Sequence, residues 1–95
     1  MEIRTVTLDI ERVLEEVWER FRNDIEASMA VSKTTLSFTD ESYEDGRAIK
    51  YCLDTLRWCK LIDEAECADM QDKVDAYIDA SIKEFKNRIT ENKED

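Results

Sequence analysis

The chain has 95 residues, 40% of them charged and 42% apolar, and a net charge of −10. That length suits one domain. The composition is too apolar for a disordered acidic tail, and the charge excludes direct binding to nucleic acid or to an anionic membrane, since both need Lys and Arg against phosphate.

Pro is absent, Gly occurs once and His not at all. Long, rarely interrupted elements follow from the first two facts. The third removes the commonest general base and metal ligand. The expected fold is all-α, a small three-helix bundle with helices at about 8–31, 40–62 and 63–90, forming a single domain over 1–95. Residues 1–8 alternate weakly and are read as a short extended lead-in or a first helical turn.

The first helix is expected from Leu8, with Thr7 as its N-cap. Ile10, Val13, Leu14, Val17, Trp18, Phe21, Ile25 and Ser28 recur at helical spacing and predict its buried face. Glu11, Arg12, Glu15, Glu16, Glu19, Arg20 and Asn23 make the opposite face, with Glu16–Arg20 and Glu19–Arg22 spaced to pair. Asp24 interrupts the pattern. It is either at the edge of the apolar stripe or a buried carboxylate with a specific partner.

Residues 33–39 are rich in Ser and Thr and read as the linker. Leu36 and Phe38 are expected to tuck under the bundle, with Phe38 stapled onto Tyr43 around a Thr39 cap. In the second helix Asp40, Glu41, Glu44 and Asp45 would occupy the first turns. Gly46 would be a weak point costing about 1 kcal/mol against Ala. Ile49, Cys52, Leu53, Leu56 and Cys59 form one stripe; Tyr51, Trp58 and Ile62 form another. This wide apolar arc predicts a central, well-buried helix.

The third helix is expected to follow with almost no loop, capped by Asp63 with Glu66 reaching back. Cys67, Met70, Val74, Tyr77, Ile78, Ile82, Phe85 and Ile89 define its core face. Lys83, Lys86 and Arg88 complement the C-terminal dipole, and 91–95 is read as a frayed tail.

Three cysteines without a C-x-x-C pair, and no His, argue against a disulfide framework or a zinc site. All three fall on apolar faces, so a reducing, cytoplasmic compartment is expected. No signal peptide or membrane span is read from the sequence.

Catalytic equipment is thin. Glu15-Glu16-Val17-Trp18-Glu19 has the E-E-x-x-E spacing of MazG-type all-helical nucleotide pyrophosphohydrolases, an Mg²⁺-dependent family that places a second pair, E-x-x-D, on the next helix. Here the nearest string is Lys50-Tyr51-Cys52-Leu53-Asp54, with Lys in place of Glu, so the first string is read as a solvated charged face. No catalytic residue, metal or cofactor is expected.

The acids are the stronger lead. Rows of carboxylates three and four apart on a helix imitate a phosphate track, the logic of the DNA-mimic inhibitors of phages and mobile elements. The expectation is a non-enzymatic interaction protein that docks an acidic surface on a basic partner, such as a nucleic-acid-binding enzyme. Asp40, Glu41, Glu44, Asp45, Asp69, Asp72, Asp75 and Asp79 are the candidate contacts. The alternative is a structural homo-oligomer with Tyr51, Trp58 and Ile62 as its seam, and the more remote one an Mg²⁺-dependent nucleotide pyrophosphohydrolase using Glu15, Glu16 and Glu19.

Overall fold

The computed structural model describes residues 9–93, with side chains to residue 90. It contains α1 (Ile10–Val31), α2 (Thr35–Trp58) and α3 (Glu64–Lys93) and no strand among the described residues. The all-α three-helix bundle is therefore shown. The expected lead-in, the Leu8 start and the Thr7 cap lie outside the described residues.

Each helix starts on a short polar side chain that accepts an otherwise unpaired N–H. Asp9 Oδ1 accepts from the Arg12 amide at 3.3 Å, Thr34 Oγ1 from Ser37 at 3.1 Å, and Asp63 Oδ1 from Glu66 at 2.8 Å. The Thr34 cap corrects the expected linker over 33–39. α2 begins five residues earlier than read, and only Ser32, Lys33 and Thr34 separate it from α1.

Phe38 then falls on the inner face, fully buried and stacked on Phe85 with ring centroids 4.7 Å apart. Leu36 and Tyr43, expected under the bundle and stapled to Phe38, are exposed instead.

The end of α2 is also corrected. The helix stops at Trp58, not Ile62. Lys60 adopts φ 61°, its amide donates to the Arg57 carbonyl and the Leu61 amide to the Leu56 carbonyl, each at 2.9 Å. That pair of bonds is a Schellman termination, which usually has Gly at the left-handed position. At the other end of α3 the helix continues to Lys93, beyond the tail boundary read at residue 91.

The core lies between α2 and its two neighbours. Leu14, Phe21 and Ile25 of α1 meet Phe38, Ile49 and Leu53 of α2 and Cys67, Val74, Ile78 and Phe85 of α3 in one cluster. Trp18, Phe21 and Tyr77 form an aromatic trio joining α1 to α3, each pair 5.6 Å apart. Of the expected α2 stripe, Ile49 and Leu53 are buried, whereas Cys52 and Cys59 are exposed. Only Cys67 is a core thiol, and burial pushes it above the usual thiol range, with Asp54's charge adding to the effect.

Gly46 is no weak point. A Cβ there would lie 2.5 Å from Ile78 Cδ1. Ile78 is only 2% exposed, so its methyl has little space into which to retreat. The glycine lets α2 and α3 approach closely.

Two predictions follow from these contacts. Lys60→Gly relieves the left-handed backbone and raises the unfolding free energy by about 0.5–1 kcal/mol in urea denaturation; an unchanged or lower value counts against that strain. Gly46→Ala gains helix propensity but overpacks, for a net loss of about 1 kcal/mol. Adding Ile78→Val removes Cδ1, and the double-mutant cycle then shows about 1 kcal/mol of favourable coupling.

Candidate interaction surfaces

Because α2 starts at Thr35, Asp40, Glu41, Glu44 and Asp45 occupy its second and third turns, and its first turn holds no acid. Capping and the helix dipole therefore do not account for them. Asp40, Glu41 and Glu44 are exposed; Asp45 is half-buried.

Asp45 opens on a groove of about 390 Å³ between α1 and α2, floored by Val17, Phe21 and Ile49 and flanked by Arg20 and Asp24. Its Oδ2 is covered and has no hydrogen-bond partner. Burial raises its pKa above the ordinary carboxylate range, the charges of Asp24, Glu41 and Glu44 add to the rise, and the Ser28 hydroxyl offsets part of it. Asp24 itself is exposed at the edge of the α1 stripe, which settles the alternative left by the sequence.

Asp69, Asp72, Asp75 and Asp79 are all exposed on α3, with Asp75 and Asp79 on the flank that borders α2. Asp75 Oδ1 is 2.6 Å from Lys50 Nζ of α2. Asp79 lies beside Thr39, Tyr43 and Lys83 in a shallow hollow between α2 and α3. The eight acids thus do not merge into one patch. Asp45 looks into the α1–α2 groove, while Asp75 and Asp79 lie along the α2–α3 edge.

Tyr51 and Trp58 are 69% and 80% exposed, so they are not core residues. Ile62 is 5% exposed and leaves the expected seam. The turn after Trp58 carries it inward, out of helical register with Tyr51 and Trp58. Leu36 and Tyr43, which the sequence reading missed, join the exposed face. Their sevenfold spacing was visible, but the expected Thr39 cap separated Leu36 from the helix.

Glu15, Glu16 and Glu19 border a hollow formed by α1 and its cap alone. Glu16 approaches Arg12 at 3.9 Å, not the expected Arg20, and Glu19 approaches Arg22 at 3.4 Å. Among the described residues no three His, Cys, Asp or Glu side chains converge in a metal-holding group, and no helix is long and apolar enough to cross a membrane.

No protein-family model, curated protein or solved structure matches this chain.

Asp45 generates a pH prediction. A carboxyl whose folded pKa is raised destabilises the fold as pH climbs from its unfolded value through its folded one. Asp45→Asn is therefore expected to melt higher than the wild type at pH 7, with the gap closing below the ordinary Asp pKa of about 3.9. Thermal unfolding of both proteins across that range checks it; a gap independent of pH removes the titration account.

Proposed function

We propose that the protein is a non-enzymatic interaction module that docks its acidic helical surface on a basic partner. One observation carries this reading. Of the eight acids singled out on α2 and α3, only Asp75 has an ion-pair partner among the described residues, and none of them caps a helix. Negative charge left uncompensated in this way steers a cationic surface towards the protein.

The α3 row has the better geometry for a nucleic-acid-binding partner. Asp69 to Asp79 spans about 15 Å of rigid helix at 1.5 Å per residue. Neighbouring carboxylates three or four apart are about 5–6 Å from each other, a coarse copy of a phosphate track. An inhibitor or decoy of a nucleic-acid enzyme, of the kind phages and mobile elements deploy, is the most concrete form of this function. Two exposed free thiols, Cys52 and Cys59, fit a reducing compartment such as the cytoplasm. A structural homo-oligomer is the second reading, favoured by the exposed Tyr51 and Trp58 on α2.

The test is charge reversal. A tagged chain recovers its basic partner from lysate at low salt, and affinity is then measured with purified components. Replacing Asp69, Asp72 and Asp79 together by Lys leaves helicity intact but weakens binding at least about 100-fold, since each rim charge on its own contributes modestly. Wild-type affinity falls steeply with ionic strength. Unchanged affinity in the triple variant rejects the α3 row as the contact surface.

A further inference from the structure

The groove that Asp45 overlooks is built by α1 and α2 alone, and no residue of α3 lines it. Its lining is mostly apolar. Val17 and Phe21 of α1 face Ala48, Ile49 and Cys52 of α2. Phe21 and Ile49 belong to the core, whereas Ala48 and Cys52 are exposed. A concavity of about 390 Å³ with an apolar lining and a few converging polar groups has the general form of a ligand pocket.

Its charge is concentrated at one end. The helices run antiparallel across their three-residue connection. Asp24 lies seven residues beyond Val17 on α1, and Asp45 seven before Cys52 on α2. The two acids therefore share the end nearer the connection, about 10 Å from the Val17–Cys52 end at 1.5 Å per residue. Glu41 and Glu44, exposed on α2, add their charge to that of Asp24 at the Asp45 carboxylate.

Nothing in the chain answers this charge. None of the four acids makes an ion pair among the described residues, and Asp45 Oδ2 has no hydrogen-bond partner. Arg20 is the one base that lines the groove. It forms no ion pair among the described residues either. Four acids thus stand against one base.

The complementary occupant has an apolar stem that ends in a cation. An arginine side chain has this form. Its methylenes lie along apolar surface while the head stays polar, and its planar fork of five donors can serve carboxylates on two helices at once. Lysine has the stem but only a compact point charge.

We propose that the α1–α2 groove is a binding site for an arginine side chain of a cationic polypeptide, with the stem over Val17, Ala48 and Cys52 and the guanidinium between Asp24 and Asp45. Arginine seated in a pocket of this kind is a common anchor of protein interfaces. The site shares with the docking function the premise of a cationic polypeptide, but it uses none of the α3 row and stands or falls separately.

Cys52 supplies the reporter. It is an exposed thiol that lines the groove; Cys59 is exposed and does not line it, and Cys67 is buried. Alkylation of the full chain by iodoacetamide is followed by mass spectrometry at constant ionic strength. N-acetyl-arginine amide is the probe, and N-acetyl-citrulline amide its uncharged match. A single side chain of this size is expected to bind with a Kd on the order of 1 mM. At about 10 mM the arginine compound slows alkylation of Cys52 about 5-fold or more and leaves Cys59 unchanged, while the citrulline compound does neither.

Two variants separate the parts of the site. Asp45→Asn removes charge without removing volume. Ala48→Trp fills the groove from an exposed position without altering charge. Each is expected to abolish the ratio between alkylation rates with and without the probe. Replacing Asp69, Asp72 and Asp79 by Lys leaves that ratio intact, so failure of the α3 row and failure of the groove are distinct results. Absence of protection at Cys52 overturns the proposal. Equal slowing of both thiols, or protection that citrulline reproduces or that survives Asp45→Asn, overturns it as well.

Discussion

The close approach of α2 to α3 at Gly46 sets the orientation of every surface on the middle helix. With only hydrogen at that position, Ile78 Cδ1 sits where a side chain would begin. Phe38 and Leu53, both fully buried, fix the helix on either side. Phe38, Ser42, Gly46, Ile49 and Leu53 thereby form one inward line. A rotation of one residue would drive Arg47 into the core, at the large cost of an unpaired buried charge. Tyr51 and Trp58 consequently project outwards, and Asp45 stops at the edge of the core, partly desolvated but not enclosed. The exposed aromatics are thus a consequence of core packing, and the fold tolerates them without assigning them a packing role.

Electrostatics supplies the second constraint. The caps and first-turn positions that favour acid take Asp9, Glu11, Asp63, Glu64 and Glu66. The remaining carboxylates have no such compensation. Cross-helix pairing relieves little of it: Lys50 with Asp75 is the one ion pair between helices among the described residues, and both side chains are exposed enough for solvent to screen it. Asp45 shows the consequence locally, since neighbouring acids add to the desolvation that raises its pKa. A chain that keeps this much unpaired charge on ordered helices presents it at fixed spacing, which a disordered acidic tail cannot do.

The outer helices were legible from periodicity because their apolar positions repeat at threes and fours, with Asp24 at the edge of the α1 stripe as the one irregularity. α2 was legible only in its middle. Ser and Thr before Phe38 resemble a linker in composition, yet Thr34 acts as a cap and the residues after it are helix. That five-residue displacement made the α2 acids look like dipole-compensating residues and hid Leu36 from the exposed stripe. At the other end no glycine announced the termination, because Lys60 takes the left-handed position. Helical phase was therefore carried too far, and Ile62 was grouped with Tyr51 and Trp58 although the turn buries it. The close approach at Gly46 depends on which α3 residue faces it, a fact of tertiary register that no local pattern holds.

The two surfaces differ in what can satisfy them. On α2 the charge is divided along the helix, acid first and base second, and Lys50 of the basic half is already taken up by Asp75 of α3. On α3 the row from Asp69 to Asp79 is interrupted only by Lys73, and no copy of this face can complement itself. A surface of that kind needs a cation-rich partner of different composition. Because the row sits on an ordered helix, its spacing is already set before any partner arrives, and little conformational entropy is lost when it binds.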